Sequence, residues 1–447
     1  MDASSWQHPR VSEVKRPFSF LARPAVLVGS GTALIAATYG LVRLAYGLFL
    51  PDVQRSLSLG DGPAGLIASG SSLVYCVGAL VGFVLAPTRP RTTVVLATAS
   101  AGLGVVGMAA SSTPVVFGAT AVVASAGAGL ASPALVRLVQ RNLPAARADR
   151  AQAVVNSGTG PGLVVAGLLA LVLLPDWRTA WAVSAVVTVL AGGAVLLADA
   201  RGCTGRDGGE SRPQPAGFPP WPWFVAHRRL VLVALLLGTG SAAVWTYGRS
   251  SLVDAGAPAT LSVLAWTALG AGGAAVALTA RALARLRART AWTVTSATVA
   301  VATLGLGLAP LTDPAVLVTL ALVACALFGW GYTAATGALI AWTTEVEPRR
   351  AAAGTSVLFV VLVLGQALGA AAAGAVVRTA GTPPVFTVAA AVVAAGALLA
   401  VVRPRGSRGL TGRSGRGPRR RPARGPSPRP RTDGPAPGAA SPVRGAR

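Results

Sequence analysis

Charged and chemically reactive side chains are scarce in this sequence. Only 12% of the 447 residues are Asp, Glu, Lys or Arg, 14 are acidic, and there are two histidines and three cysteines. The cysteines indicate no disulfide framework. No clustered metal ligands, phosphate-binding glycine loop or Ser/His/Asp set is visible in the apolar segments. We therefore expect no metal, no cofactor, no ATP-driven pumping and no hydrolysis.

Apolar residues dominate instead. They make up 53% of the sequence, and the mean hydropathy is +0.61, which is not the composition of a soluble globular protein. Segments of roughly 20 apolar residues are long enough to span a bilayer as helices. Twelve are predicted, at approximately 25–50, 63–86, 92–112, 114–136, 152–174, 177–198, 230–253, 259–280, 291–309, 315–341, 351–377 and 385–402.

Polar stretches divide the chain into five regions. We expect a cytoplasmic tail over 1–24, a six-helix bundle over 25–198, a cytoplasmic loop over 199–229, a second bundle over 230–402 and a tail over 403–447. That last tail is rich in Arg and Pro and should be disordered. It either lies on anionic lipid or has no specific partner. With a net charge of +25 distributed over loops and a tail, the membrane surface is a better partner than nucleic acid.

Arginine placement predicts the orientation, because cytoplasmic loops of membrane proteins carry an excess of positive charge. If the N-terminus is cytoplasmic, loops on that side contain seventeen arginines and loops on the other side contain four. Both termini are then cytoplasmic. The cytoplasmic set is Arg89, Arg91, Arg137, Arg141, Arg147, Arg150, Arg201, Arg206, Arg212, Arg228, Arg229, Arg281, Arg285, Arg287, Arg289, Arg349 and Arg350, and the opposite set is Arg55, Arg178, Arg249 and Arg378.

Short repeats indicate that the second bundle duplicates the first. Thr38-Tyr39-Gly40 recurs as Thr246-Tyr247-Gly248, and each copy is followed by an arginine and then an aspartate. Gly158-Thr159 in the fifth segment likewise has a counterpart in Gly354-Thr355 of the eleventh. With the long middle loop, these repeats predict two homologous six-helix halves.

Two local motifs and the six-plus-six arrangement resemble the major facilitator superfamily over approximately residues 25–402. Gly82 to Arg91 reads G-F-V-L-A-P-T-R-P-R, which is similar to the family's loop motif in Gly82, Arg89 and Arg91, but Ala86 stands where that motif has aspartate. Asn156 to Gly167 resembles the fifth-span motif of the family's antiporters, centred on Gly160 and Pro161. The fourth-span arginine of proton-coupled members is absent from Ala121 to Gly129.

The resemblance implies a transporter that works by alternating access, with two bundles rocking around a site near the middle of the bilayer. It also implies a multi-pass protein of the plasma membrane, similar to bacterial members and monomeric. Gly82, Arg89, Arg91, Gly160 and Pro161 are then the residues of conformational motifs. The antiporter-like motif favours efflux.

Arg43 is the most deeply placed charge in the apolar segments, and such a residue is a candidate functional group. In an α-helix it shares a face with Tyr39 and Tyr46, and the three would suit an organic anion or an aromatic solute. Trp245 and Arg249 repeat the pattern in the seventh segment. Each arginine has an alternative in which its guanidinium extends to the lipid headgroups, and for Arg249 this alternative is favoured.

The remaining polar residues of the segments are few. Asn156 and Gln366 either hydrogen-bond the solute or tie helices together. Tyr75, Trp266, Trp330 and Tyr332 are interpreted as packing or interfacial aromatics. No Asp, Glu or His is predicted well inside a segment, so proton coupling, if present, would use Asp52 or Asp254 near the outer mouth. His8 and His227 are placed in polar segments.

The predicted function is therefore transport of a small organic solute without chemical change. A transport-inactive sensor or scaffold of the same fold is kept as an alternative. A polytopic membrane enzyme is a weaker one, because it would need acidic or histidine groups at a membrane face.

Overall fold

The computed structural model describes residues 24–199 and 219–401, and within them all regular structure is helical. The predictions for both tails, and for most of the 199–229 loop, fall on residues outside this description. Twelve of the helices are long and apolar enough to cross a membrane, as the sequence predicts. A continuous helix satisfies its own backbone hydrogen bonds, which is the condition for crossing the hydrocarbon layer.

We number the spans α1 to α12. The first, α1, has three consecutive segments, Pro24–Ile35, a π-helical Ala36–Leu44, and Tyr46–Leu57; α5 has two, Ala145–Asn156 and Thr159–Leu173. The other spans are α2 (Asp61–Leu85), α3 (Pro90–Ala110), α4 (Pro114–Asn142), α6 (Trp177–Ala198), α7 (Trp221–Asp254), α8 (Ala259–Leu283), α9 (Ala288–Leu308), α10 (Pro314–Val346), α11 (Ala351–Ala380) and α12 (Thr382–Val401).

Helix packing repeats after six spans. The pairs α2–α4, α3–α4 and α3–α6 of the first half recur as α8–α10, α9–α10 and α9–α12 of the second. The halves meet along three seams, α1–α7, α2–α11 and α5–α8. Small residues allow these helices to approach closely, as is usual in membranes. Large apolar side chains such as Leu103 and Leu278 are exposed on the bundle, as expected of a surface covered by lipid.

Two helices extend beyond the predicted apolar segments. The first continues through Pro51 and Asp52 to Leu57, so Asp52 lies inside a helix and is buried, not at a segment end. The seventh begins at Trp221, nine residues before the predicted start at 230. His227 is therefore buried within α7, where its ring stacks on Trp223 at 3.8 Å between centroids. Hydropathy missed these turns because it counts polar residues as solvated, whereas Asp52 pairs with Arg249 of another helix and the His227 ring is bonded to the Trp223 carbonyl and stacked on its ring.

The two ends of the bundle differ in how the halves meet. We call the end with the loops α2–α3, α4–α5, α8–α9 and α10–α11 the arginine-rich end, and the other the arginine-poor end. Towards the arginine-poor end, the stretches 44–53 of α1 and 240–252 of α7 are buried on every side. The first segment of α1 instead has an exposed stripe that includes Gly29 and Ala33. The halves are thus closed together at the arginine-poor end.

Candidate solute-binding site

Arg43 lies at the centre of a polar cluster that joins the two halves. Its Nη2 atom donates a hydrogen bond of 2.8 Å to Gln366 Oε1 on α11, and a longer one of 3.5 Å to Ser72 Oγ on α2. Its guanidinium carbon is 4.6 Å from the centroid of the Tyr75 ring, a cation–π distance. Gln366 in turn donates to the Tyr332 hydroxyl on α10 at 2.9 Å. We call Arg43, Ser72, Tyr75, Tyr332 and Gln366 the Arg43 cluster.

The charge of Arg43 is not balanced by an acid. None of the ion pairs among the described residues includes it. Its Nε atom is buried and has no hydrogen-bond partner in the part of the chain that the structure describes. A partly buried cation with a buried, unused donor is energetically costly unless a ligand or water completes its hydrogen bonds. The cluster is therefore chemically complementary to an anion.

Aromatic rings surround the cluster. The Trp245 ring packs edge-to-face against Tyr332, at 5.3 Å between centroids, and against Phe328 at 5.5 Å. On the other side the Tyr39 hydroxyl hydrogen-bonds the Tyr75 hydroxyl at 2.8 Å. Rings in these positions offer flat apolar surface beside a cation, which suits the aromatic or apolar part of an organic anion.

A small cavity lies between the halves on the arginine-poor side of this cluster. Its volume is about 40 Å³, and its lining includes Arg43, Ser72, Trp245, Thr246 and Gln366. That volume holds a few water molecules and no organic solute. The buried contacts between α1 and α7 leave Arg43 no opening towards the arginine-poor end in this conformation.

Two predicted solute ligands are placed elsewhere. The Tyr46 hydroxyl donates to the Ala64 carbonyl at 2.9 Å and its ring stacks on Phe117, so it is held within the first half, although it touches the cavity. The common face predicted for Tyr39, Arg43 and Tyr46 assumed α-helical spacing, and the π-helical Ala36–Leu44 changes the phase. The Asn156 side chain is exposed and accepts a hydrogen bond from Gln152 at 3.0 Å, outside the Arg43 cluster.

Arg249 does not extend to the lipid headgroups as expected. Its side chain is 1% exposed and pairs with Asp52 of α1, whose side chain is 4% exposed. Its hydrogen bonds are made to Asp52, the Leu48 carbonyl and Ser262, none of which belongs to the Arg43 cluster. A helix-end position suggested surface exposure, but contacts with α1 and α8 enclose the side chain.

The coupling candidates Asp52 and Asp254 occupy different environments near the arginine-poor end. Asp52 is buried between two arginines, Arg249 and Arg55. Asp254 is exposed at the end of α7 and borders a cavity of about 330 Å³ with Arg55 and Asp61. The two carboxylates are thus not equivalent, although the sequence repeat pairs them.

The loop-motif residues Gly82, Arg89 and Arg91 lie at the arginine-rich end. Gly82 faces the Pro133 ring of α4 so closely that an added Cβ would stand 2.5 Å from it, and Arg89 is exposed. The motif's aspartate is replaced by the buried Ala86. Arg91 instead pairs with Asp199, at 2.9 Å, just after α6.

Asp199 is fully buried and accepts hydrogen bonds from three residues of the first half. Arg91 contributes one, Asn142 donates at 2.8 Å, and Arg141 donates through both Nε and Nη2. Burial alone would raise the pKa of Asp199, but the hydrogen bonds from Asn142, Arg141 and Arg91 outweigh it, so that the pKa is lowered. Asp199 is therefore the acid that pairs with the loop-motif residue Arg91, from the end of another helix.

Gly160 lies on the α5–α8 seam, and the neighbouring Pro161 is exposed. A Cβ at Gly160 would lie 2.9 Å from the Ala274 backbone nitrogen and 3.2 Å from the Gly270 carbonyl oxygen. The antiporter-like motif thus permits close backbone contact between the two halves.

Ser72, Tyr75 and Tyr332 belong to the cluster and were not predicted to. The chain has only five tyrosines, and a buried phenol hydroxyl needs a hydrogen-bond partner. A tyrosine inside an apolar segment is therefore a candidate for a polar cluster, and the sequence showed that Tyr75 and Tyr332 lie inside such segments. The sequence did not show which tyrosines contact Arg43.

These features define a membrane protein with the fold of a carrier, made of two six-helix halves with a polar cluster between them. The chain belongs to the major facilitator superfamily, whose family model matches residues 32–345. No curated protein matches the sequence. Several solved structures share the fold, all at low sequence identity.

Among those structures, nucleoside transporter NupG is 12% identical, with a TM-score of 0.68, and covers 85% of this chain and 98% of its own. The D-xylose–proton symporter is 14% identical, with a TM-score of 0.65, and covers 84% and 96%. A bacterial homologue of the human lysosomal transporter Spinster, in an inward-facing conformation, is 15% identical, with a TM-score of 0.59, and covers 86% and 95%. The resemblance seen in the sequence and the predicted fold class are confirmed.

Proposed function

We propose that this protein transports a small organic anion with an aromatic or flat apolar part, and that the anionic group binds Arg43. The observation that carries the proposal is the uncompensated charge of Arg43 at the contact between the halves. A carboxylate accepts two parallel hydrogen bonds from a guanidinium, and Arg43 has Nε and Nη2 available for such a pair once Gln366 is displaced. Trp245, Tyr75 and Tyr332 supply the apolar walls.

The same geometry suggests how binding of solute at Arg43 could change the contact between the two halves. Without solute, the neutral amide of Gln366 is the acceptor for Arg43 and ties α1 to α11. A charged acceptor binds the guanidinium more strongly than an amide does. Bound solute would therefore replace the Arg43–Gln366 hydrogen bond. This would change the relative stability of the conformations open to either side of the membrane, which is the requirement for ligand-dependent alternating access.

The proposal also includes the direction of transport and the membrane in which the carrier lies. With the arginine-rich end in the cytoplasm of a bacterial cell, the end that is closed in this conformation would face outward. Solute would enter from the cytoplasm and leave at the arginine-poor end, in line with the efflux that the Gly160-Pro161 motif favours. The carrier would lie in the plasma membrane.

The second candidate is a solute sensor that binds at Arg43 without flux. The observation in its favour is Ala86, which removes the aspartate that the family's loop motif carries. A sensor and a carrier share the binding site and differ only in transport, so a single reconstitution separates them.

The test begins with purified protein screened by thermal shift against aryl and alkyl carboxylates, followed by counterflow of the best stabilisers in proteoliposomes. Loss of a charged hydrogen-bond partner costs about 1.5–3 kcal/mol, so Arg43→Gln should weaken binding roughly 10- to 100-fold. Gln366→Glu should also weaken it, because an internal carboxylate then competes for Arg43. Arg378→Gln is the matched control, since Arg378 is exposed at the end of α11.

Each outcome has a defined meaning. Unchanged counterflow in Arg43→Gln would reject the site. Arg43-dependent binding with no counterflow would favour the sensor. For proton coupling, Asp52→Asn and Asp254→Asn are compared with wild type under an imposed pH gradient; full activity of both would exclude coupling through either carboxylate.

A further inference from the structure

The cavity of about 330 Å³ at the arginine-poor end is lined by residues of both halves. Its polar lining residues are Gln54, Arg55 and Asp61 of the first half and Ser250 and Asp254 of the second. It shares no lining residue with the smaller cavity at Arg43. Its volume holds several water molecules. Polar groups of the two halves therefore meet here in a hydrated space, apart from the solute site.

Negative charge exceeds positive charge around this cavity. Asp61 and Asp254 both line it, whereas Arg55 is paired with Asp52 at 2.6 Å. Asp52 also pairs with Arg249, so these five side chains contain three negative and two positive charges. Two carboxylates of opposite halves repel each other unless a cation lies between them. The cavity is thus complementary to a cation.

A buried hydroxyl without a partner lies in the same wall. Ser250 is 4% exposed, and its Oγ atom has no hydrogen-bond partner among the residues that the structure describes. On α7, Ser250, Val253 and Asp254 are spaced i, i+3, i+4, so their side chains share the face that borders the cavity. A buried polar atom is normally satisfied by a partner, and a ligand in the cavity would supply one.

The available donor atoms narrow the class of cation. Gln54 donates from Nε2 to Asp61 Oδ1 at 2.7 Å, so its amide oxygen remains an acceptor. Carboxylate, amide and hydroxyl oxygens are the ligands of hard cations such as Ca²⁺ and Mg²⁺. The described residues contain no group of three His, Cys, Asp or Glu that could hold a metal, so water must complete the coordination. A divalent ion balances both Asp61 and Asp254, which a monovalent ion does not.

We propose that Asp61 and Asp254 bind a hydrated divalent cation, Ca²⁺ or Mg²⁺, with Gln54 and Ser250 as further oxygen ligands. Because one carboxylate belongs to α2 and the other to α7, the ion contacts both halves and favours the conformation that holds them together. With two charged ligands and many waters, the Kd should be about 10⁻⁴–10⁻³ M. The site does not depend on which solute binds at Arg43.

The experiment follows the melting temperature of the full-length protein in a neutral detergent, after divalent ions are removed with EDTA. CaCl₂ or MgCl₂ is added at constant pH, and NaCl of equal ionic strength is the reference. An ion that binds only the folded protein stabilises it, so the wild-type melting temperature should rise with either divalent salt and saturate. Asp61→Asn and Asp254→Asn should each raise the apparent Kd at least tenfold. Arg55→Gln should lower it, because a neighbouring positive charge is removed.

Asp313→Asn is the matched control. Asp313 is exposed at the same end of the molecule, outside the cavity, and caps α10, a role that Asn also fills. It should respond to the divalent salts as wild type does. Equal stabilisation by NaCl would overturn the site, because screening alone would then explain the effect. A wild-type response in Asp254→Asn would also overturn it, and this exposed position decides the question even if Asp61→Asn fails to fold.

Discussion

Among the residues that the structure describes, we compare three arrangements of charges within the bundle, and each arrangement indicates a different role. Asp199 is neutralised within one half by two arginines and an asparagine. Asp52 and Arg249 neutralise each other across the halves. Arg43 has only neutral partners. The first arrangement stabilises a half, the second can report the distance between halves, and the third can accept a charged ligand.

Asp199→Asn should destabilise the protein. An amide cannot balance Arg91 and Arg141, and the donors that face it lose a charged acceptor. We expect a loss of about 1–3 kcal/mol, because both arginines are partly exposed and can recover some hydration. Thermal unfolding of the purified variant measures the loss. A melting temperature equal to that of wild type would show that the cluster contributes no stability.

The stability that Asp199 contributes to the folded protein should depend on pH. The pKa of Asp199 in the folded protein lies below its ordinary value of about 3.9, so the unfolded chain takes up the proton first on acidification. The stability from Asp199 is therefore complete above about pH 4 and is lost as the pH falls through the folded pKa. The gap in melting temperature between wild type and Asp199→Asn should narrow in that range. A gap that stays constant into acid would contradict the assignment.

At the level of elements, the π-helical part of α1 determines which side chains face the site. It turns Arg43 towards Gln366 and leaves Tyr46 facing the first half. The neighbouring Gly40 lets this part of α1 touch α5: an added Cβ would lie 2.6 Å from Gly162 backbone atoms. Sequence periodicity assumes one helix type throughout, so it could not predict that the Tyr46 hydroxyl bonds the first half while Arg43 bonds the second.

Gly40→Ala tests this close approach. Because the atoms it meets are backbone, they cannot move aside, and overpacking of this kind costs about 1–3 kcal/mol. Gly29→Ala is the matched control on the same helix, since a Cβ there meets nothing within 4 Å. It should be neutral or slightly stabilising. Equal melting temperatures for the two variants would show that the α1–α5 contact is not tight.

At the level of the whole molecule, contacts within a half should affect stability, and contacts between halves should affect conformation. Two glycines of α2 allow a direct comparison. A Cβ at Gly65 would lie 2.6 Å from the Ala370 carbonyl oxygen of the other half, and one at Gly78 would lie 2.6 Å from the Ala126 carbonyl oxygen of the same half. The steric conflict is the same, and only the partner differs.

Gly65→Ala should therefore favour separation of the halves at the arginine-poor end, because opening relieves the clash. Spin labels at residues 62 and 260 should move apart with little change in melting temperature. In Gly78→Ala the clash is within one half, so movement of the halves relative to each other cannot relieve it. This variant should have a lower melting temperature and an unchanged distance between the labels. The reverse pattern would show that the α2–α11 seam is a fixed part of the fold.

The membrane class, the twelve spans and the family could be predicted from the sequence, because these depend on apolar length and on local motifs. The sequence also identified Arg43 as the unusual charge, since burial of arginine in an apolar segment is a local property.

The partners of these charges follow only from the tertiary structure. It brings Gln366, Tyr75 and Tyr332 to Arg43, joins Asp52 to Arg249, and pairs Asp199 with Arg91. These pairs are separated by tens to hundreds of residues. Their formation depends on helix phase and on the packing of distant spans, neither of which hydropathy records.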